Sequence, residues 1–440
     1  MTLPRRLGAV GATGTLVSIM IGSGIFRVAS VVARDVPSPT GFMLVWITGG
    51  LLAVAGALSF GELAAMFPAT GGRYVYLREG VSPVVAFTYA WAHTFFLRPV
   101  AVGAGALVFA SYLGSLVPRL AAHERASAAA IVLLLGAVNY RSVWFSAAIG
   151  TVTGAAKALA LAGFAIVILV ATPAASPTGA PPASGISAHA FGLALVTVMW
   201  TYSGWGSTTY ITGEVRRGER VMPLVLMGGV SGCALLFVLV NLAYLHALPI
   251  AAIATSKAVA ADAAGWAFGP AGRGLIAALV VVATLGSLNG TVLASPRMSF
   301  ALGQDTPRLG WLANIHRRYQ TPHVAITVTC LLGVVGVLSH TFEQLADAYI
   351  LGAWPFYILC VIGLFRLRRR RPDLARPFHT PGYPIVPAVF LLAAAAMLVN
   401  AAVAQPRDAI VGSGLILLGV PVFYFLTIHR STAAAEPPAD

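Results

Sequence analysis

Hydrophobic and polar positions divide this chain into long apolar runs separated by short polar or Pro/Gly-rich breaks. A helix needs about 20 mostly apolar residues to cross a hydrocarbon layer roughly 30 Å thick. Twelve runs come close to that length or exceed it, so we predict an all-α integral membrane protein with 12 transmembrane helices. The predicted segments are 11–34, 41–66, 83–117, 126–141, 144–171, 187–213, 223–248, 271–302, 322–340, 344–366, 384–404 and 409–428.

The composition supports this prediction, since 58% of the residues are hydrophobic and only 10% are charged. Soluble domains have roughly 25% charged residues. The apolar run that follows MTLPRR is longer than the apolar core of a signal peptide, about 7–15 residues, so we predict a retained first helix. Residues 1–428 are predicted to form a single transmembrane domain, and 429–440 a disordered cytoplasmic tail.

The formal net charge of +14 could indicate a nucleic-acid partner, but the basic residues follow the alternation of loops that orients membrane proteins. With the predicted segments, 19 of the 28 Lys and Arg residues fall on the side of the N-terminus and seven on the other side. We therefore expect a multi-pass protein of the plasma (inner) membrane with both termini cytoplasmic. We expect the lipid bilayer, and no nucleic acid, as its macromolecular environment.

The sequence lacks the common signatures of metal centres and enzymes. Cys233, Cys330 and Cys360 lie inside apolar runs, and no CxxC or Cys/His spacing is present. There is also no HExxH or GxSxG motif and no pair of acidic residues within a predicted span. We therefore expect no metal, no cofactor and no enzymatic activity.

Glycines interrupt two of the apolar runs, IGSGIF at 21–26 in segment 1 and WTYSGWGSTTY at 200–210 in segment 6. Many transporters consist of inverted repeats whose corresponding helices are broken by glycine. If 11–171 and 187–366 are two repeats and 384–428 two additional helices, both interruptions fall in the first helix of a repeat. The alternative is that these glycines only allow neighbouring helices to pack closely.

A broken helix in hydrocarbon exposes N–H and C=O groups that need partners. A zwitterionic amino acid provides them, because its carboxylate can accept from the N–H groups that follow Gly22 and Ser23 while its ammonium donates to carbonyl groups. The sequence therefore predicts an amino acid site formed by backbone.

Six weak motifs occur along the chain in a fixed order: IGSGIF, SFGELAAMFPATGGRYVYLREG, FFLRP, YSGWGSTTYITGEVRRGERVMP, LGSLNGTVLASPRMSFALGQD and RRPDLARPF. In this order the chain resembles the amino acid–polyamine–organocation (APC) superfamily from about residue 7 to 428, and within it the bacterial relatives of the L-type amino acid transporters. The resemblance implies a LeuT-type fold with a 5+5 inverted repeat and alternating-access transport of amino acids.

The resemblance also implies positions for the substrate. The carboxylate would lie at Ser23 and Gly24, with Gly22 supporting the turn, and the amino group would lie near the carbonyls of Met20 and Ile21. In the other segments the implied substrate-binding residues are Trp200, Tyr202, Ser203, Gly204, Trp205 and Trp354. Ordinary helix packing remains the alternative for Trp200 and Trp205.

Lys157 lies inside the apolar stretch TVTGAAKALALAGF, and an ionisable residue within a membrane span is a functional hypothesis by default. It matches a lysine of the family whose ammonium takes the place of the sodium ion found in sodium-coupled relatives. Its expected neighbours are carbonyls around Gly22 and the side chains of Ser287 and Asn289, which complete the predicted coupling group. Sodium-independent transport follows as an expectation.

Several polar residues depart from the family pattern or remain open. Arg98 could line a cavity or contact its neighbours beside Pro99, and Arg73 occupies a position where the family commonly has Glu. Glu62 and Glu214 are expected to pair with arginines. The loop SLVPRLAAHERAS contains no cysteine, so no disulfide-linked heavy chain is expected.

We therefore expect an exchanger of neutral amino acids, because no Asp or Glu lies near the middle of a predicted span. The alternatives are proton-coupled uptake of amino acids or polyamines, with Lys157 as the proton-releasing group, and an amino acid sensor or channel.

Overall fold

The computed structural model describes residues 3–22, 24–171, 173, 187–256, 258–340, 342–404 and 406–427. Within these ranges the chain is almost wholly helical and has no strand, and an isolated bridge pairs Leu7 with Val215. Ser23 and the predicted tail at 429–440 lie outside the described residues.

The described residues of the first half of the chain contain nine α-helices. They are α1 (Ala9–Met20), α2 (Gly24–Asp35), α3 (Pro39–Met66), α4 (Arg73–Gly80), α5 (Pro83–Ala92), α6 (Arg98–Leu116), α7 (Pro118–Ala121), α8 (Glu124–Arg141) and α9 (Val143–Ala171). A π-helical turn, His93–Leu97, joins α5 to α6, so these two form one continuous rod.

In the second half, the ranges that the structure describes contain eleven α-helices and two 3₁₀ turns, Thr209–Glu214 and Pro307–Ala313. The helices are α10 (Ala188–Thr201), α11 (Trp205–Thr208), α12 (Gly218–Ala247), α13 (Ile250–Thr255), α14 (Val259–Ala294), α15 (Pro296–Asp305), α16 (His323–Ser339), α17 (Phe342–Arg370), α18 (Ile385–Ala404), α19 (Pro406–Leu417) and α20 (Gly419–Thr427). The backbone of α14 is interrupted at Gly269, where φ is 66°.

Eight helical stretches of the described chain are long and apolar enough to cross a membrane. They are Ala9–Asp35, Pro39–Met66, Pro83–Leu116, Val143–Val170, Gly218–Ala247, Val259–Asp305, Ile385–Ala404 and Ala409–Leu426. The four other predicted segments coincide with α8, α10, α16 and α17, which are also helical but are shorter or more polar. The chain is therefore a multi-pass membrane protein.

The outer surface of these helices is apolar, as a hydrocarbon environment requires. Leu51, Leu159 and Val170 are 67%, 73% and 82% exposed. Contiguous apolar exposure of this kind is rare on soluble monomers and marks a surface covered by lipid or by another protein.

Close helix contacts hold the first broken helix in place. A Cβ atom built on Gly14 of α1 would lie 2.5 Å from Thr151 Oγ1 and 2.6 Å from Thr151 Cα, so α1 and α9 approach at a distance that only glycine permits. This contact brings Lys157 of α9 to the end of α1.

Candidate functional site

The first interruption lies between α1 and α2. The last helical bond of α1 runs from Ile21 N to Val17 O at 3.0 Å, and Gly22 N then donates to Met20 O, only two residues back, at 2.9 Å. The carbonyls at this end of α1 therefore lack helical N–H partners, and the next helix, α2, begins at Gly24. The predicted break in segment 1 is therefore present.

Side chains from two other helices satisfy the carbonyl groups freed at this break. Lys157 Nζ donates to the carbonyls of Ser18, Ile21 and Ala283 at 2.5, 2.6 and 3.1 Å. Ser287 Oγ of α14 donates to Ile19 O at 3.1 Å. The end of α1 is thus held from α9 and α14, and Lys157 is fully buried.

Asn289 was expected beside Lys157 but is placed elsewhere. Its side-chain oxygen accepts from Asn139 at 3.0 Å and Ser146 at 2.9 Å, and its Nδ2 donates to Ser146 O at 2.8 Å. It lies two residues beyond Ser287, so it points away from the face of α14 that meets α1. Asn289 joins α8, α9 and α14 instead.

The second interruption separates α10 from α11. Ser203 donates to Trp200 O twice, from its backbone N at 3.1 Å and from Oγ at 2.7 Å. Gly204 then adopts φ +104°, a backbone conformation that residues other than glycine rarely adopt. The chain leaves the axis of α10 over Tyr202–Gly204 and restarts at Trp205.

The two interruptions touch each other. A Cβ built on Gly24 would lie 2.5 Å from Thr201 Oγ1, and one built on Gly204 would lie 2.7 Å from Ile19 Cγ2. Both glycines are therefore needed for close packing, and Gly204 is needed for its backbone conformation as well.

A cavity of about 80 Å³ lies at this junction. Seven of the predicted site residues line it: Met20, Gly22, Gly24, Trp200, Ser203, Gly204 and Ser287. Its other lining residues come from α1, α6, α10, α14 and α17: Ile19, Arg98, Ala101, Gly105, Thr201, Thr284, Leu288, Thr291 and Tyr349. None of these lining residues is acidic.

Three predicted substrate-binding residues face the core rather than the cavity. Tyr202 donates its hydroxyl to Trp46 O at 2.9 Å, and Trp205 packs edge-on against Phe60 with ring centroids 5.0 Å apart. Trp354 is 4% exposed and stacks against Phe390. Side chains just before and after a turn point in different directions, so a motif does not show which of its members face the ligand.

Ile21 is fully buried, and its contribution is the carbonyl that accepts from Lys157.

The sequence did not single out four polar residues of the cavity wall. Thr284 and Thr291 lie three residues before and four after Ser287 and share its helix face, so helical spacing could have found them. Tyr349 packs edge-on against Trp200 at 5.4 Å. Thr201 is 3% exposed, and its hydroxyl has no hydrogen-bond partner in the described ranges.

Arg98 lines the cavity and also makes internal contacts, so both interpretations of this residue hold. Its Nε donates to His93 Nε2 at 3.1 Å, and its Nη2 donates to Ser207 Oγ at 2.6 Å and to the Tyr349 hydroxyl at 3.3 Å. A buried guanidinium thus gives the cavity wall a positive charge.

The two expected acidic pairs are present. Glu62 accepts from Arg368 at 2.8 and 2.6 Å and from Thr380 N at 2.7 Å. Glu214 accepts from Arg297 Nε at 2.8 Å, and both side chains are almost fully buried. Neither acid reaches the cavity.

Residues 7–428 match the amino acid permease family. The chain is 27% identical over 444 residues to the b(0,+)-type amino acid transporter 1 of Homo sapiens, covering 99% of this chain and 90% of that protein. It is 26% identical over 433 residues to the serine/threonine exchanger SteT of Bacillus subtilis (strain 168), covering 98% of each. It is 29% identical over 447 residues to the human large neutral amino acids transporter small subunit 2, covering 98% of this chain and 81% of that protein.

Proposed function

The chain belongs to the amino acid permease family, and from this premise we propose that it exchanges neutral amino acids across the plasma membrane without sodium. The observation that carries the proposal is the junction of the two broken helices, where Gly24 meets Thr201 and Gly204 meets Ile19 around one cavity. Exchange is also the activity named for one relative, the serine/threonine exchanger.

The cavity offers a zwitterion the contacts that it needs. The first N–H groups of α2, which starts at Gly24, have no acceptor within their own helix and carry the positive end of the helix dipole. The substrate carboxylate is proposed to lie there, beside Gly22 and Ser23. The ammonium is proposed to lie nearer the carbonyls of Met20 and Trp200 and the hydroxyl groups of the opposite wall.

The proposed independence of sodium rests on Lys157. Its ammonium already donates to three carbonyl oxygens, and oxygen ligands of this kind are what a hard cation requires. A bound sodium ion at the same place would have to displace a buried ammonium and would bring two positive charges together. We propose that Lys157 is a permanent substitute for the ion, with Ser287 holding the neighbouring carbonyl.

The proposed selectivity for neutral substrates rests on the charges of the residues that line the cavity. A cationic side chain would meet the guanidinium of Arg98 and no carboxylate among the lining residues. This weighs against polyamines and basic amino acids. The small size of the cavity, about 80 Å³, favours small side chains.

We further propose the LeuT-type arrangement, with repeats at 11–171 and 187–366, two additional helices, and both termini in the cytoplasm. The eight long apolar stretches support twelve spans together with four further helices, α8, α10, α16 and α17. The segment between α6 and α8 has no cysteine, so we propose that the protein works without a disulfide-linked heavy chain.

Counterflow in sodium-free proteoliposomes tests this function. Vesicles loaded with a panel of single unlabelled amino acids should accumulate labelled amino acid transiently when the interior holds a substrate, and not when it is empty. A channel gives no accumulation above equilibrium, and a sensor gives no uptake. Absence of accelerated uptake over the whole panel would overturn the exchanger proposal.

A further inference from the structure

A second buried polar cluster adjoins the cavity, formed by Arg73, Tyr89, His93, Tyr210 and Tyr357; we call it the Arg73 cluster. Arg73, the first residue of α4, is 1% exposed. Its guanidinium carbon lies 5.1, 5.3 and 4.2 Å from the ring centroids of Tyr89, Tyr210 and Tyr357. It donates to the Tyr210 hydroxyl, which in turn lies 2.5 Å from the Tyr89 hydroxyl.

The cluster contains four buried polar atoms that have no hydrogen-bond partner among the described residues: Nε and Nη1 of Arg73, Nδ1 of His93 and the hydroxyl of Tyr357. His93 Nε2 accepts from Arg98, so the neutral ring carries its proton on Nδ1. All four atoms are therefore hydrogen-bond donors. A buried donor without an acceptor costs about 1–3 kcal/mol, and more when it is charged.

The acidic residues near this part of the protein are engaged with other arginines. Glu62 pairs with Arg368, and Glu79 with Arg78 and Arg371. Among the described residues no Asp or Glu forms an ion pair with Arg73 or with Arg98. Two buried guanidinium groups, Arg98 bonded to His93 and Arg73 over the tyrosine rings, thus have no carboxylate partner among the described residues.

The tyrosine rings offset part of the free-energy cost of burying the charge of Arg73. A cation held over aromatic faces gains about 2 kcal/mol when it is desolvated. The effective penalty for burying an ion is several kcal/mol, so the rings leave a deficit that a negative charge would remove. Ring faces also provide no strong acceptor for N–H groups in the plane of the guanidinium.

We propose that the Arg73 cluster binds a small inorganic anion of halide size. Arg73 supplies the charged donors, while Tyr357 and His93 supply neutral ones; hydrogen bonds from a guanidinium to an anion are stronger than bonds between neutral groups. The site shares His93 with Arg98, so the anion lies beyond the cavity wall and does not compete with the amino acid. It stabilises the contact of α4 with the 3₁₀ turn Thr209–Glu214.

Thermal unfolding of the detergent-solubilised full chain tests this site, with chloride titrated against gluconate at constant ionic strength. The wild type should show a saturable rise in Tm with chloride, and Arg73→Gln should show none. Arg78→Gln is the matched control, because Arg78 lies on the same helix but is partly exposed and pairs with Asp305. It should retain the chloride response.

Tyr357→Phe provides a milder test should Arg73→Gln fail to fold. Loss of one hydrogen bond to a charged partner, about 1.5–3 kcal/mol, should raise the half-saturating chloride concentration about tenfold or more. Equal Tm values in chloride and gluconate would show that water satisfies these donors and would overturn the site. An equal loss of response in Arg78→Gln would overturn it as well, since the effect would then be general screening.

Discussion

Lys157→Ala removes the ammonium that joins α9 to the break in α1. The wild-type Nζ lies between three carbonyl oxygens, those of Ser18, Ile21 and Ala283, and is fully buried. Alanine cannot reach any of them. The variant therefore removes a donor from three buried carbonyls, and two of them, Ser18 O and Ile21 O, lie at the break in α1 where the substrate is proposed to bind.

Each acceptor left unsatisfied costs about 1–3 kcal/mol, and a difference of 1.4 kcal/mol corresponds to a factor of ten. If only one of these carbonyls changes its position in response, sodium-free exchange should fall about fivefold or more. Sodium prefers oxygen ligands and can enter the space that the side chain leaves. We therefore expect sodium to restore part of the lost exchange in the variant and to have no effect on the wild type.

Counterflow of a labelled amino acid, measured with sodium and with choline, provides the assay. Leu159→Ala is the control, because Leu159 lies on the same helix and is 73% exposed to the surrounding medium. It should exchange at the wild-type rate. Exchange by Lys157→Ala at the wild-type rate, with no dependence on sodium, would refute the role assigned to Lys157.

Three other substitutions have defined outcomes. Gly24→Ala should abolish exchange, because its Cβ would lie 2.5 Å from Thr201 Oγ1, whereas Gly163→Ala, which meets nothing within 4 Å, should be active in the same counterflow assay. Thr201→Val should raise the substrate concentration for half-maximal exchange several-fold while Tm changes little, since the hydroxyl has no partner within the part of the chain that the structure describes; a large fall in Tm would contradict this. Glu214→Gln leaves Arg297 buried without its counter-charge, so it should destabilise the protein by about 3–5 kcal/mol. An unchanged midpoint of denaturation would show that this pair is not important for stability.

The sequence predicted the position of the two interruptions, because closely spaced glycines within a long apolar run weaken the helix at that point. The resemblance to the APC superfamily also implied that Lys157 meets carbonyls near Gly22, and the structure places it there. The orientation of side chains around each interruption was not predictable. Tyr202 and Trp205 flank Gly204 and face α3, whereas Trp200 and Ser203 face the cavity.

Contacts between helices that are far apart in the sequence were not predictable either. Asn289 is near Ser287 in the chain, but the helical rotation of about 200° over two residues directs it to Asn139 and Ser146. The short helix α4 was missed because RYVYLREG is neither long nor apolar enough to predict a span. Its first residue, Arg73, acquires its tyrosine neighbours only through the fold.

An experimentally determined structure of the protein with a bound neutral amino acid tests the central claim most directly. The distances from the substrate carboxylate and ammonium to the backbone at the two interruptions are the quantities to measure. We predict the carboxylate within hydrogen-bond distance of the N–H groups at the start of α2, beside Gly24, and the ammonium near the carbonyl groups that the interruptions free. An amino acid bound away from both interruptions, or held mainly by side-chain charges, would contradict the claim.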